Sequence, residues 1–107
     1  MAGEVALITG GSRGIGRAVA ISMAKLGRDV IINYSGNEEA ANEAAEECMK
    51  NGVKAVIVQG NVASEDDCQR ILDVAMDTFG RIDVLVNNAG ITKDNLMMRM
   101  SAEDFDR

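Results

Sequence analysis

The sequence predicts an α/β fold built on a doubly wound parallel sheet, and two features of the chain support this prediction. Short apolar runs alternate with amphipathic segments along the whole chain, without a linker, a repeat or a low-complexity tract. The runs are almost continuously apolar, which is typical of strands covered on both faces. Right-handed crossovers then give the strand order 3-2-1-4. Ligands of such sheets bind outside the carboxyl ends of the strands, where the winding reverses between strands 1 and 4.

Four apolar runs predict the four strands, at residues 5–8, 30–32, 55–58 and 84–86. The first helix is expected directly after strand 1, and Gly27 is placed to end it. The residues expected on its apolar face are Ile15, Ala18, Val19, Ser22, Met23 and Leu26.

Two further amphipathic segments predict the second and third helices. The second begins near Asn37 and stops at 51–52, and its apolar stripe contains Ala41, Ala44, Ala45 and Cys48. The third begins with Ser64 and Asp67 in a spacing that resembles a capping box, and it ends before Gly80. The stripe of the third helix contains Cys68, Ile71, Leu72, Ala75, Met76 and Phe79.

Composition excludes several classes of function. The 107 residues fit one domain, and 11 basic against 17 acidic residues give a net charge of −6, which is too acidic for a general nucleic-acid or membrane-surface binder. The chain contains no His, which removes Ser/His and Cys/His nucleophile pairs and His-based metal sites. Cys48 and Cys68 form no metal-binding spacing and are expected to be small buried thiols. The same cysteine usage predicts a reducing, cytoplasmic compartment and no metal site. The sequence shows no leader and no long apolar stretch, so we expect a soluble, untargeted protein.

A glycine-rich turn, residues 9–16, joins strand 1 to the first helix. Glycines allow positive φ and a close approach to a ligand, and the start of the helix offers free N–H groups and a positive dipole end to a phosphate. The turn therefore predicts a cradle for a pyrophosphate. It is not a Walker A loop, because Arg17 and Ala18 stand where Lys and Ser or Thr are needed. A tight turn with a purely structural role is the alternative interpretation.

The end of strand 2 favours NADP(H) over NAD(H). An NAD site typically has an acidic residue there for the ribose 2′-hydroxyl, whereas an NADP site uses a cation. Residues 33–36 contain no acid, and Asp29 lies at the opposite end of the strand. Arg13 can pair with a 2′-phosphate and Ser35 can donate to it. A solvated Arg13 without this role is the alternative.

Two motifs resemble those of the short-chain dehydrogenase/reductase family, which has a Rossmann-type fold. They are TGxxxGxG at residues 9–16 and NNAG at residues 87–90, and the segment 90–100 resembles the family's 3-oxoacyl-acyl-carrier-protein reductases. The resemblance spans the whole chain. It implies an NADPH-dependent oxidoreductase of fatty-acid synthesis that acts on a substrate linked to acyl-carrier protein.

The resemblance also implies roles for individual residues, all of them in binding the cofactor. Asn61 and Val62 frame the adenine, and Ser35 lies at the 2′-phosphate. Around the pyrophosphate and the adenosine ribose lie Gly10, Ser12, Arg13, Gly14, Ile15 and Gly16. The path to the nicotinamide is lined by Asn88, Ala89 and Gly90. We expect Asn88 to tie strands together rather than to take part in the chemistry.

No catalytic residue can be assigned in this chain. The family reduces a carbonyl with a Tyr as proton donor, a Lys four residues later, and a Ser that orients the substrate. The only tyrosine, Tyr34, has Glu38 at the fourth position after it, and we expect it to be a half-exposed aromatic flanking the cofactor. A helix start at 101–104 is followed by the last residue, Arg107. We therefore expect residues 1–107 to be the amino-terminal part of a single NADP-binding domain, inactive alone.

An alternative function is a non-catalytic half-domain that binds a nucleotide or associates with itself. A sheet that ends after its fourth strand exposes an unpaired edge, which favours a homo-oligomer. The methionines at positions 97, 98 and 100 fit packing or oligomer contacts, and an acyl-chain lining is the second possibility.

Overall fold

The computed structural model describes residues 3–10 and 14–88 with their side chains, together with the backbone of residues 97–99. The helices and strands follow one another in the order β1 (Val5–Thr9), α1 (Gly14–Lys25), β2 (Asp29–Tyr34), α2 (Glu38–Met49), β3 (Ala55–Gln59), α3 (Glu65–Phe79), β4 (Val84–Asn87) and β5 (Met97–Arg99). All four predicted strands are present, each extended by one to three residues. The additional residues lie mainly at the carboxyl ends, where polar side chains obscure the apolar pattern.

The four predicted strands form a parallel sheet in the predicted order. β1 lies in the centre and pairs with β2 on one side and with β4 on the other, while β3 pairs with β2. In register, Leu7 lies between Ile31 of β2 and Leu85 of β4. The prediction 3-2-1-4 is confirmed, and the winding reverses between β1 and β4.

A fifth strand was not predicted from the sequence. β5 pairs with β4 in the antiparallel direction and aligns Leu85 with Met98. The expectation that the sheet ends after its fourth strand with an unpaired edge was therefore wrong, because β5 covers the edge of β4. Three residues are too few to display the alternation that identifies a strand. The side chains of this segment and the predicted helix start at 101–104 lie outside the described residues.

Helices cover both faces of the sheet, which explains the continuous apolar runs. Alternate residues of a strand point to opposite faces. Val30 and Ile32 of β2 pack in the cluster that contains the buried residues of α1 and α2, whereas Ile31 packs with α3. Burying both faces removes most of the apolar side chains of β1 and β2 from water, and this burial is the main stabilising contribution to the fold.

The predicted apolar stripes of α2 and α3 are confirmed. Asn37 caps α2 and Ser64 caps α3 by accepting the N–H group of the residue three positions later. The residues buried on α2 are Ala41, Ala44, Ala45 and Cys48. On α3, Ile71 and Ala75 are buried, and the flanking stripe residues are partly covered. In the described part of the chain, no helix is both long enough and apolar enough to cross a membrane.

The predicted apolar face of α1 was only partly right: Met23 is buried and Val19 is partly buried, whereas the other four predicted residues are exposed. Ile15 is 68% exposed and Leu26 is 54% exposed, and Ala18 and Ser22 are also exposed. The buried residues of α1 are Gly16, Ala20, Met23 and Ala24. Small residues on this face allow the helix axis to approach the sheet closely, so the contact depends on the absence of bulk rather than on large apolar side chains.

The amino-terminal edge of the sheet is fixed by a buried carboxylate. Asp83, which precedes β4, accepts a hydrogen bond of 2.8 Å from the backbone N–H of Val5 and one of 2.7 Å from Nε of Arg81. These contacts with Asp83 raise the pKa of the Arg81 guanidinium. Charged groups therefore close the edge opposite to the predicted ligand edge.

Candidate functional site

An open cleft of about 570 Å³ lies at the carboxyl ends of the parallel strands. Its polar rim comes from the ends of all four strands and its floor is apolar. The rim residues are Thr9, Gly10, Asn33, Ser35, Gly60, Asn61 and Asn87. The floor contains Leu7, Ile71, Leu72 and Leu85. A cleft of this size and mixed lining suits a small molecule with both an apolar ring and polar groups.

The glycine-rich turn at the cleft has a conformation that requires glycine. Gly10 has φ +64° and Gly14 has φ +63°, in the left-handed region that side chains rarely adopt. Gly16 is needed for a different reason, since a Cβ added there would lie 2.2 Å from the carbonyl oxygen of Gly10. Gly10 therefore lies against Gly16 in the first turn of α1, where the first N–H groups of the helix are available to a ligand.

Two side-chain amides from neighbouring strands hold Gly10. Oδ1 of Asn33 accepts the Gly10 N–H group at 3.3 Å, and Nδ2 of Asn88 donates to the Gly10 carbonyl oxygen at 3.2 Å. The backbone N–H of Asn88 in turn donates to the hydroxyl of Thr9 at 2.8 Å. Asn88 thus ties β4 to β1, as expected, and Gly10 is held from both sides.

Replacing Thr9 with valine tests this arrangement, because valine keeps the shape and removes the hydroxyl. Thr9 is 7% exposed and Asn88 is half-buried, so the N–H group of Asn88 would lose its acceptor in a partly desolvated environment. We expect Thr9→Val to lower the free energy of unfolding by about 2 kcal/mol in chemical denaturation. The control Thr78→Val, at an exposed position of α3, should change it by less than about 0.5 kcal/mol. Equal effects of the two variants would contradict the assigned role of Thr9.

The turn between β3 and α3 forms the other wall of the cleft and is held by its own hydrogen bonds. The N–H of Asn61 donates to Oδ2 of Asp67 at 2.8 Å, and Oδ1 of Asn61 accepts the N–H of Ala63 at 2.9 Å. The carbonyl oxygen of Val62 accepts the thiol of Cys68 at 3.1 Å. These contacts fix residues 61 and 62 before any ligand binds, which lowers the entropic cost of binding.

The end of β2 presents a hydroxyl, not a carboxylate, to the cleft. Ser35 is exposed at the rim, and its carbonyl oxygen accepts Nε2 of Gln59 at 2.9 Å. Asp29 begins β2 and accepts the N–H of Lys54 at 2.9 Å, so it lies at the opposite edge, as expected.

The expectation for Tyr34 was wrong. Tyr34 is only 9% exposed and packs in the core beneath α1 and α2. Alternation along β2 explains its position, since Tyr34 follows Val30 and Ile32 on the same face. Its side chain therefore belongs to the core rather than to the cleft.

The predicted binding residues are only partly described. Of these, Gly10, Ser35, Asn61 and Val62 line the cleft. Gly16 and Asn88 lie against Gly10, and Gly14 and Ile15 begin α1. Outside the described residues lie Ser12, Arg13, Ala89 and Gly90.

Four rim residues were not among the predicted binding residues, namely Thr9, Asn33, Gly60 and Asn87. Asn33 interrupts an otherwise apolar run, and this interruption was a signal of a special position.

The two cysteines differ, and the expectation that both are buried was wrong for Cys68. Cys48 is fully buried, and this burial raises the pKa of its thiol to about 11. Cys68 is half-buried and lines the cleft. The raised pKa means that the folded chain holds the Cys48 proton more tightly than the unfolded chain, whose thiol has a pKa of 9.0. The stability that the protonated Cys48 thiol contributes is therefore fully present below pH 9.0 and is lost as the pH rises to about 11.

Alkylation tests the difference between the cysteines. At about pH 8 we expect iodoacetamide to modify Cys68 and to leave Cys48 unmodified, because only an accessible thiolate reacts. If the cleft holds a dinucleotide, NADP⁺ should slow the modification of Cys68. Intact mass and peptide mapping measure both rates, and the variant Cys68→Ala is the control for residual labelling. Faster labelling of Cys48 than of Cys68 would contradict the burial of Cys48.

Comparisons with known proteins agree with this geometry. The 3-oxoacyl-[acyl-carrier-protein] reductase of Synechocystis sp. is 48% identical over 102 residues, which cover 95% of this chain and 41% of the relative. A mutant short-chain dehydrogenase/reductase of Serratia marcescens has a TM-score of 0.80 and 34% identity, and covers 86% of this chain and 38% of that chain. An NAD⁺-bound xylitol dehydrogenase has a TM-score of 0.78 and 34% identity, and the match covers 84% of this chain and 34% of the xylitol dehydrogenase chain.

A doubly wound sheet with a glycine turn at its winding reversal defines a nucleotide-binding α/β protein. The chain belongs to the short-chain dehydrogenase family, whose profile matches residues 4–107. It spans 41% of the length of the Synechocystis relative. The fold and the family together support a nicotinamide nucleotide as the cofactor.

Proposed function

We propose that residues 1–107 form the amino-terminal, NADP(H)-binding part of a single Rossmann-type domain in a 3-oxoacyl-[acyl-carrier-protein] reductase. The observation that carries the proposal is the convergence of the glycine turn, Ser35 and the turn at Asn61 on one cleft. The name of the Synechocystis relative supports the substrate class, a 3-oxoacyl group linked to acyl-carrier protein.

The cleft and the turn fit a dinucleotide in three parts. The pyrophosphate lies at the glycine turn, where the missing Cβ of Gly16 leaves the backbone close to the start of α1. The adenine lies at Asn61 and Val62, and the adenosine 2′-phosphate at Ser35. Asn88, with Ala89 and Gly90 after it, leads toward the nicotinamide. When bound, the reduced nicotinamide supplies a hydride for the reduction of a carbonyl carbon.

We propose NADP(H) rather than NAD(H). The residues at the carboxyl end of β2 carry no acid, and a carboxylate there would repel a 2′-phosphate. Ser35 offers a hydroxyl at the same place, and Arg13 supplies the cation. A cytoplasmic location, where reductive synthesis proceeds, remains a prediction.

The proton for carbonyl reduction does not come from the one tyrosine of this chain. Tyr34 is buried beneath α1 and α2, on the face away from the cleft. We propose that the catalytic Tyr, Lys and Ser belong to sequence that the 107 residues do not contain, and that this chain alone is inactive. The test is oxidation of NADPH with acetoacetyl-carrier protein, followed by absorbance. We expect no rate above the background without enzyme, and a rate proportional to chain concentration would contradict the proposal.

We also propose that the chain associates with itself, as a homo-oligomer. In the described sheet, β3 pairs with β2 alone, and its other edge offers unpaired backbone groups. Partly covered apolar residues outside the cleft lie on α3, among them Val74 and Phe79. Light scattering measures the mass in solution, and a monomer over the whole working range of concentration would contradict the proposal.

A further inference from the structure

Asn33 occupies an unusual position in the centre of the candidate site. It lies in β2 between apolar residues and is only 2% exposed. A buried amide costs free energy unless its polar atoms are paired, so a polar residue at this position needs an explanation. Alternation along β2 places its side chain on the same face as Ile31, beneath the cleft.

The side chain of Asn33 bonds to three backbone groups in two separate segments of the chain. Its Oδ1 accepts the N–H of Gly10 at 3.3 Å. Its Nδ2 donates to the carbonyl oxygen of Gly60 at 3.1 Å and to that of Val58 at 3.3 Å. The two donor hydrogens and one acceptor lone pair are therefore used by the protein itself.

These contacts join the two walls of the cleft. Gly10 is the first glycine of the glycine turn, and Gly60 directly precedes Asn61 in the turn between β3 and α3. The two turns are far apart in sequence, and β2 lies between their strands in the sheet. On the β1 side, the backbone ladder ends at Ile8 and Ile32, one residue before Asn33. On the β3 side, Gly60 still donates its N–H to the carbonyl oxygen of Tyr34 at 2.9 Å, and the Asn33 amide adds a side-chain bond to the same residue.

We propose that Asn33 is a positioning residue that holds the glycine turn and the β3–α3 turn at a fixed separation, so that one dinucleotide can contact both. The inference rests on the proposed NADP(H) site. The amide suits this role because it donates on one side and accepts on the other. Aspartate would oppose two carbonyl oxygens with a carboxylate, and leucine would leave all three backbone groups without this partner.

The first test compares a ligand that spans both turns with one that reaches a single turn. NADP⁺ requires the glycine turn and the adenine wall, whereas adenosine 2′-monophosphate lacks the pyrophosphate. In calorimetry on the purified chain, we expect Asn33→Leu to lower the affinity for NADP⁺ about tenfold, which corresponds to the loss of roughly one buried hydrogen bond. The affinity for adenosine 2′-monophosphate should fall by less than about twofold. The control Ile31→Val, a buried change on the same face of β2, should leave the ratio of the two affinities unchanged.

Asn33→Asp is the second variant and keeps the fold testable if the leucine variant does not fold. It retains an acceptor for the N–H of Gly10 and replaces both donors. We expect this variant also to lose more affinity for NADP⁺ than for adenosine 2′-monophosphate, since the connection to Gly60 is broken. Equal weakening of both ligands in the folded variants would overturn the proposal, because a general loss of structure affects both.

Amide hydrogen exchange tests Asn33 without any ligand. The N–H of Gly10 should exchange slowly in the original chain and faster in Asn33→Leu or Asn33→Asp, and the amide signals of Asn61 and Val62 should shift in the same variants. Ile31→Val should change neither the exchange rate of the Gly10 N–H nor the amide signals of Asn61 and Val62. If the original chain fails to bind NADP⁺ while both turns respond, the proposed function fails and the role of Asn33 stands. If NADP⁺ binds and the turns do not respond together, the role of Asn33 is overturned.

Discussion

Replacing Gly16 with alanine is expected to remove dinucleotide binding and to destabilise the fold. The added Cβ would lie 2.2 Å from the carbonyl oxygen of Gly10 and 2.7 Å from Nδ2 of Asn88. The nearest of these atoms belongs to the backbone of the glycine turn, so relief requires that α1 or the turn moves. We expect a loss of about 3 kcal/mol in the free energy of unfolding, at the upper end for overpacking. Because the movement displaces the start of α1, NADP⁺ should show no heat of binding in a calorimetric titration.

The matched control for this change is Gly36→Ala. Gly36 follows Ser35 in a surface loop, has no atom within 4 Å of an added Cβ and does not have a left-handed φ. Its substitution should alter stability by less than about 0.5 kcal/mol. A stable Gly16→Ala variant that binds NADP⁺ like the original chain would contradict the close packing of Gly16 on Gly10.

Replacing Ser35 with aspartate is expected to reverse the preference between the two cofactors. The change puts a carboxylate at the end of β2, where we propose the 2′-phosphate lies, and like charges repel strongly in a partly desolvated cleft. We expect the affinity for NADP⁺ to fall about 100-fold, equivalent to about 2.7 kcal/mol. The affinity for NAD⁺ should be unchanged or higher, because the new carboxylate can accept the ribose 2′-hydroxyl. Parallel titrations with both cofactors measure this.

Ser22→Asp is the control for the added charge. Ser22 is exposed on α1 and does not line the cleft, so this variant has the same net charge without a carboxylate at the site. Its affinities for both cofactors should stay within about twofold of the original. If Ser22→Asp lowers the affinity for NADP⁺ as much as Ser35→Asp does, the effect comes from net charge, and the place assigned to the 2′-phosphate is wrong.

The elements of the fold could be predicted wherever the pattern of burial depends on side-chain type. Strands covered on both faces are apolar throughout, and α2 buries a regular stripe that ends with Cys48. The face of α1 could not be found in this way. Its contact with the sheet depends on Gly16 and Ala20, which a search for large apolar residues passes over. β5 depends on pairing with β4, a long-range contact that three residues do not reveal.

The candidate site shows a similar division. The glycine turn has a recognisable spacing because its backbone conformation is local, and Gly10 has the positive φ that the spacing indicates. The partners of Asn33 are 23 to 27 residues away and depend on the order of the strands in space. The burial of Tyr34 was within reach of the sequence, since alternation along β2 assigns it to the same face as Ile32.

The central claim is that the carboxyl edge of this sheet binds NADP(H), and one titration tests it most directly. Calorimetry on the purified chain compares NADPH with NADH under the same conditions. We expect NADPH to bind at one site per chain and at least about tenfold more tightly than NADH, because the 2′-phosphate adds charged hydrogen bonds. Equal or tighter binding of NADH would contradict the roles of Arg13 and Ser35. Absence of binding by both cofactors would contradict the site itself.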